Sequence, residues 1–248
     1  MSTEPKAGSG KAALIVGAGD ATGGAIARRF AREGFAVCAT RRTAAKVQAL
    51  VEQICAQGGV AHGFASDARV EAEVSTLFER IEREIAPLDV VVFNIGGNVR
   101  FGITETTERV YRKVWEMGAL AGFLVGREAA RVMLLRGRGT ILFTGATASL
   151  RGAAGFAAFA GAKHALRSLA QSMARELGPQ GIHVAHVIID GAIDTQFIAE
   201  NFPQRYALKA QDGILNPEAI AESYWQLHLQ HRSAWTHELD LRPWMEKF

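Results

Sequence analysis

The segment Gly17-Ala18-Gly19-Asp20-Ala21-Thr22-Gly23-Gly24 follows the apolar run Ala12–Val16 and opens a stretch with helical periodicity. A glycine-rich turn in that place lets the backbone approach a pyrophosphate, and the helix N-terminus behind it directs free N–H groups and partial positive charge at the phosphate. Such a turn alone can be an ordinary tight turn; its place between a buried strand and an amphipathic helix is what favours the binding role. Arg41-Arg42 end the next apolar run. There two guanidiniums would grip a phosphate monoester through charge-assisted contacts, the plainer reading being two surface arginines that open a helix. Lys163 lies in a later helical stretch and would serve as an acid if a neighbouring cation depressed its pKa. Thr147 carries a hydroxyl that could orient a carbonyl, while Thr144 reads as a structural strand-end residue. Asp190 closes an apolar run, at the strand end where doubly wound sheets bind ligands, and a capping role suits it equally. His164 follows Lys163 by one residue and so points about 100° away around a helix, which leaves it off the site. His183 and His186 read as edge or partly buried structural histidines.

The elements that must position these residues alternate regularly. Ala12–Val16, Ala36–Thr40, Val60–Ala65, Val90–Asn94, Thr140–Thr144 and His183–Ile189 read as strands. Most are continuous apolar runs, as expected of strands buried on both faces of a parallel sheet. Between them Thr22–Arg32, Ala44–Gln57, Val70–Ile85, Thr107–Leu135 and Gly155–Leu177 read as helices, with glycine or proline near their ends. Beyond Gly191 the pattern weakens to a helical flap over Asp194–Tyr206, a helix over Pro217–Gln230 and a last strand over Trp235–Leu241. Strand–helix alternation implies right-handed crossovers in an α/β sandwich. Without a linker or an internal repeat, residues 11–248 read as one domain behind a mobile tail over residues 1–10.

From Lys11 to about Thr195 the chain resembles the short-chain dehydrogenase/reductases. That family carries Thr-Gly-x-x-x-Gly-x-Gly after its first strand. Gly17 and Gly23 match it, Ala21 stands at the middle glycine, and Gly19 and Gly24 supply extra freedom. Ser66-Asp67 resembles the family's adenine-contacting aspartate, and Asn94-Ile95-Gly96-Gly97 its Asn-Asn-Ala-Gly. Asp190-Gly191-Ala-Ile-Asp-Thr195 resembles its Pro-Gly-x-x-x-Thr, with Asp190 at the proline. The resemblance implies a Rossmann-type doubly wound parallel sheet in a three-layer, single-domain α/β sandwich. It also implies a dinucleotide held by Gly17, Gly19, Asp20, Ala21, Thr22, Gly23, Arg41, Arg42, Asp67, Asn94, Gly96, Lys163, Gly191 and Thr195. An acid at the end of strand two would hold an NAD ribose hydroxyl; Arg41 and Arg42 favour NADP(H) over NAD(H).

At the catalytic end the resemblance is broken. Lys163 stands at the family's lysine, whose role there is to hold the nicotinamide ribose and lower the pKa of a tyrosine. Phe159 stands at that tyrosine, Ala146 at the serine and Gly118 at the asparagine. The tyrosines of the chain, Tyr111, Tyr206 and Tyr224, are distant in sequence from Lys163. Phenylalanine cannot exchange a proton, and losing a positioned acid costs on the order of 10²–10⁴ in rate. The expected activity is hydride transfer to or from a small apolar carbonyl or activated alkene, in a pocket formed over Ala146, Phe159 and Asp190. Lys163 and Thr147 are its candidate catalytic groups, and reduction of an activated double bond is favoured over alcohol oxidation. The alternative is a catalytically silent NADP(H)-binding scaffold, or a partner subunit of an active homologue.

Composition bounds the partners. The 248 residues are 48% hydrophobic with a formal charge of +3, which describes a soluble globular protein that buries roughly three quarters of its unfolded surface. No basic run suggests nucleic acid, and no apolar run approaches the ~18 residues of a membrane span. The N-terminal segment lacks the apolar core of a signal peptide. Cys38 and Cys55 form neither a disulfide framework nor metal-ligand spacing, so no metal is expected and reduced thiols suit a cytoplasmic location. Small residues crowd the stretches 107–135 and 155–177. By resemblance these helices would join a homodimer or homotetramer, although the same residues could simply pack on the sheet.

Overall fold

In the computed structural model, which describes residues 10–43 and 45–247, seven parallel strands form one sheet in the order β3-β2-β1-β4-β5-β6-β7. They are β1 (Ala12–Val16), β2 (Ala36–Arg41), β3 (Val60–Ala65), β4 (Leu88–Phe93), β5 (Gly139–Thr144), β6 (Ile182–Ile189) and β7 (Glu238–Leu241). The helices are α1 (Thr22–Arg32), α2 (Ala45–Ala56), α3 (Glu71–Glu84), α4 (Glu108–Trp115), α5 (Ala121–Leu134), α6 (Ala157–Leu177), α7 (Gln196–Asn201), α8 (Pro203–Tyr206) and α9 (Pro217–Leu229). Residues 1–9, which make up nearly all of the expected tail, and Ala44, at the expected start of α2, lie outside the described residues.

Period-2 alternation assigns each strand's side chains to two cores. Leu14 and Val16 of β1 join Val74, Phe78, Val125 and Leu166 on one face; Ala13 and Ile15 join Ile26, Phe30, Ile54 and Trp225 on the other. The sheet is thus sandwiched between α3, α5 and α6 on one side and α1, α2 and α9 on the other. This is the doubly wound three-layer α/β fold expected from the alternation. The order reverses between β1 and β4, and the crevice outside their carboxyl ends is where such sheets bind ligands.

Three expectations change. β4 begins at Leu88 because it includes Asp89, a buried carboxylate paired with Lys11 at 2.7 Å; a charged residue masks a strand in an apolar pattern. The helix expected over Thr107–Leu135 divides into α4, a π turn at Glu116–Leu120, and α5. At that turn Gly118 meets α6 so closely that a Cβ on it would lie 2.9 Å from the Ala162 Cβ. His183 and His186 are fully buried, and β6 is an interior strand rather than an edge. His183 stacks on Trp235 with 4.9 Å between ring centroids, and burial pushes the His186 imidazole down to about 4. Cys38 is buried on β2 and Cys55 is exposed on α2, both as free thiols. Among the described residues no helix is long and apolar enough to cross a membrane.

Candidate active site

A cavity of about 980 Å³ opens outside the carboxyl ends of β1, β4, β5 and β6, walled by the segments that follow those strands. Gly17 turns the chain out of β1 at φ +87°, in the left-handed region that favours glycine. A Cβ on Gly17 would lie 2.8 Å from the Asn94 carbonyl oxygen, and one on Gly23 would lie 2.4 Å from the Gly17 carbonyl oxygen. The Asn94 side-chain amide donates to that same Gly17 oxygen at 3.1 Å. Gly17, Gly23 and Asn94 therefore lock one tight turn at the mouth of α1. No side chain caps α1; the Gly24 N–H donates to the Gly19 carbonyl at 2.7 Å, which leaves the N–H groups of Thr22 and Gly23 for a ligand. Thr22, in the cavity wall, has a buried hydroxyl without a hydrogen-bond partner among the described residues.

Gly19, Asp20, Ala21 and Gly96 also line the cavity, whereas Arg41, Arg42, Asp67 and Thr195 lie outside its wall. Arg41 reaches back to the turn: its guanidinium donates to the Asp20 carboxylate at 3.2 Å and to the Lys46 carbonyl at 3.1 Å. Arg42 is exposed. Asp67, just beyond β3, is held by Arg69 at 2.5 Å, which keeps its carboxyl below the usual range. The Thr195 hydroxyl accepts from the Ile198 N–H at 3.2 Å and caps α7.

Lys163 enters from α6 and is fully buried. Its ammonium donates to the carbonyls of Thr144 at 2.7 Å and Ile95 at 3.1 Å, tying the ends of β4 and β5 together. Burial pushes its pKa down to about 8. Phe159, one helical turn earlier, lies with its ring centroid 5.9 Å from that nitrogen. Ala146 puts a methyl group in the wall, and its N–H donates to the buried hydroxyl of Ser149 at 3.1 Å. The Thr144 hydroxyl is engaged with that of Tyr224 at 2.7 Å. Tyr111, Tyr206 and Tyr224 are all absent from the wall of the cavity.

One hydroxyl in the wall has a carboxylate behind it. Thr147 donates to Asp190 at 2.5 Å. Asp190 is 1% exposed, and its second oxygen lies 3.6 Å from the Arg242 guanidinium. A carboxylate so placed fixes the hydroxyl's orientation and leaves its lone pairs for a ligand. The structure thus gathers Lys163, Thr147, Asp190, Ala146, Phe159 and Gly191 into one cavity. It also adds Arg100, Arg151, Phe156, Phe197, Phe202, Arg205 and Glu246, which sequence reasoning missed. These come from loops, the flap and the C-terminal segment, where no periodicity marks a residue's direction. The cavity is therefore mixed in character rather than uniformly apolar.

The short chain dehydrogenase family matches residues 11–205. A hydroxynaphthalene reductase-like protein, Arp2 of Metarhizium robertsii, is 32% identical over 198 residues, 79% of this chain and 73% of that protein. The 2,3-dihydro-2,3-dihydroxybenzoate dehydrogenase of Bacillus subtilis is 28% identical over 75% of this chain and 71% of its own. A short-chain dehydrogenase structure from Rhodopseudomonas palustris is 49% identical with a TM-score of 0.81, covering 95% of this chain and 99% of that one. A metagenomic short-chain oxidoreductase in complex with NADP is 25% identical, also with a TM-score of 0.81, covering 95% and 98%.

Proposed function

The chain belongs to the short chain dehydrogenase family, and within it we propose an NADP(H)-dependent oxidoreductase that works without a tyrosine acid. The observation that carries this reading is the Gly17–Gly23 turn locked by Asn94 at the mouth of α1, with the partnerless Thr22 hydroxyl in the same wall. These residues fit a dinucleotide: the turn is too tight for a Cβ at Gly17 or Gly23, and the N–H groups of Thr22 and Gly23 at the mouth of α1 would receive an anion. Arg41, resting against the turn beside Asp20, supports a 2′-phosphate and hence NADP(H), as does the NADP-bound relative. Gly19, Asp20, Ala21, Gly96 and Gly191 would form the rest of the cradle, with Arg42, Asp67 and Thr195 at its margins.

When bound, the nicotinamide supplies or accepts a hydride. Lys163 would hold the adjoining ribose and keep the ends of β4 and β5 in register. Thr147 is the hydroxyl placed to hold a substrate oxygen. Asp190 would act through it as a positioning group: with the Thr147 proton engaged by the carboxylate, the hydroxyl's lone pairs would accept from a substrate hydroxyl. Phe159 and Ala146 stand at the family's tyrosine and serine positions and offer the substrate an apolar floor, suited to a carbonyl or activated alkene. Exposed Tyr111, Trp115 and Phe123 on α4 and α5 support a homo-oligomer built on these helices.

One observation favours a second reading, a silent NADP(H)-binding scaffold or partner subunit: none of the chain's tyrosines lines the cavity. Fluorescence titration with NADPH tests both readings, and absence of binding at millimolar cofactor would sink them. Turnover across a panel of carbonyls and enones then separates them. An enone reductase that loses turnover in Lys163→Met while still binding NADPH favours the enzyme. An inert parent that gains alcohol oxidation with Phe159→Tyr and Ala146→Ser favours the scaffold.

A further inference from the structure

We infer that the cavity takes a substrate with an anionic group, a carboxylate on an apolar body, held by Arg100 and Arg151. This rests on the reading of the cavity as an oxidoreductase site. Three guanidiniums enter its wall from different segments: Arg100 after β4, Arg151 after β5 and Arg205 on α8. Arg205 has Glu246 at 3.8 Å as a counter-charge. Neither Arg100 nor Arg151 has an acidic partner among the described residues, in a chain where most arginines are paired.

Arg100 is held in place by packing. Its guanidinium carbon lies 5.9 Å from the centroid of Phe156, and its Cγ would lie 3.0 Å from a Cβ on Gly155. The Phe101 N–H donates to the Gly155 carbonyl at 2.9 Å, binding the two loops together. The Arg100 loop therefore sits beside the start of α6, one turn before Phe159. Arg41 and the phosphate turn belong instead to β2 and β1, on the other side of β4 in the sheet. The two arginine groups thus form separate anion sites, one suited to the cofactor and one to the substrate.

The chemistry between them specifies the ligand. Phe156, Phe159, Ile193 and Ile198 line the same cavity as Arg100 and Arg151, so an apolar body and an anionic end would each find a counterpart there. A guanidinium fork matches a carboxylate in two parallel bonds, and both arginines are exposed and accessible to a ligand entering the cavity.

The test uses the intact protein saturated with NADPH, titrated calorimetrically with naphthoate and with its neutral isostere naphthamide. Naphthoate is expected to bind at least about tenfold more tightly. In an Arg100→Gln, Arg151→Gln double variant that advantage is expected to vanish, with NADPH affinity and melting temperature unchanged. Equal affinity for the two probes, an advantage that survives in the variant, or binding of neither would overturn the inference. If NADPH itself fails to bind, the cofactor reading falls separately. The probes are then titrated into the Arg41→Asp protein, which removes the cofactor-side cation as a rival site, and the same outcomes decide.

Discussion

The Thr147 hydroxyl donates to the buried carboxylate of Asp190 across 2.5 Å, joining the segments that leave β5 and β6. A surface threonine is a weak acid and a poorly oriented donor. Here a carboxylate fixes the rotor, and the Arg242 guanidinium lies 3.6 Å from its second oxygen. Among the described residues the pair is the one hydroxyl–carboxylate hydrogen bond in the cavity wall.

If the two act as a unit, removing either should cost about as much as removing both. Thr147→Val and Asp190→Asn are each expected to lower kcat by about 10²-fold, and the double variant by no more than either alone. NADPH affinity should stay within about twofold, because neither side chain belongs to the phosphate turn. Single-turnover kinetics check this; multiplicative losses would show that the two groups act independently.

At the cofactor end, Arg41 is the sharpest discriminator. Arg41→Asp should weaken NADPH by about 10- to 100-fold, the range of a lost charge-assisted hydrogen bond plus a new repulsion. NADH should be nearly unaffected. Equal losses for the two cofactors would mean that Arg41 only braces the turn through Asp20 and Lys46.

The glycine-rich turn of the candidate site was legible because its geometry is local. Gly17 and Asn94 directly follow β1 and β4 and Gly23 opens α1, where a glycine in a left-handed or crowded position leaves a mark in the sequence. Lys163 was legible by its place on a helix. The contact between Thr147 and Asp190 was not, since 43 residues separate them and only the pairing of β5 with β6 brings them together. Arg100, Arg151, Arg205 and Glu246 were hidden for a related reason: long loops and a C-terminal segment carry no period to show which side chains point inward. The break between α4 and α5 escaped notice because it is a single π turn inside an otherwise continuous helical run from Glu108 to Leu134.

That break bears on the proposal that Phe159, Ala146 and Gly118 stand at the family's tyrosine, serine and asparagine positions. Phe159 and Ala146 line open space and can accept a hydroxyl. Gly118 cannot accept an asparagine, because its Cβ would lie 2.9 Å from that of Ala162. Gly118→Asn is expected to destabilise the protein by about 1–3 kcal/mol, the usual cost of overpacking. Adding Ala162→Gly should recover part of the loss, which urea denaturation would reveal. A Gly118→Asn protein as stable as the parent would mean that the π turn yields readily.

Acid should unfold this protein through buried His183 and His186 and half-buried His228. Burial pushes His186 and His228 down to about 4 and lowers His183 in the same direction. Unfolding releases each toward an ordinary value near 6.5. Between these limits the unfolded chain binds more protons, so stability falls as pH falls. The contribution is complete above about pH 6.5 and is lost progressively toward pH 4. His228 offers the cleanest probe, since it packs against Phe30, Phe35 and Trp225 away from the cavity. Its one side-chain hydrogen bond, to the Thr140 hydroxyl at 2.9 Å, needs no charge on the ring. In His228→Gln the melting temperature should fall less steeply from pH 6.5 to 4 than in the parent, whatever the variant's stability at neutral pH. Parallel profiles would mean that His228 keeps an ordinary pKa despite its burial.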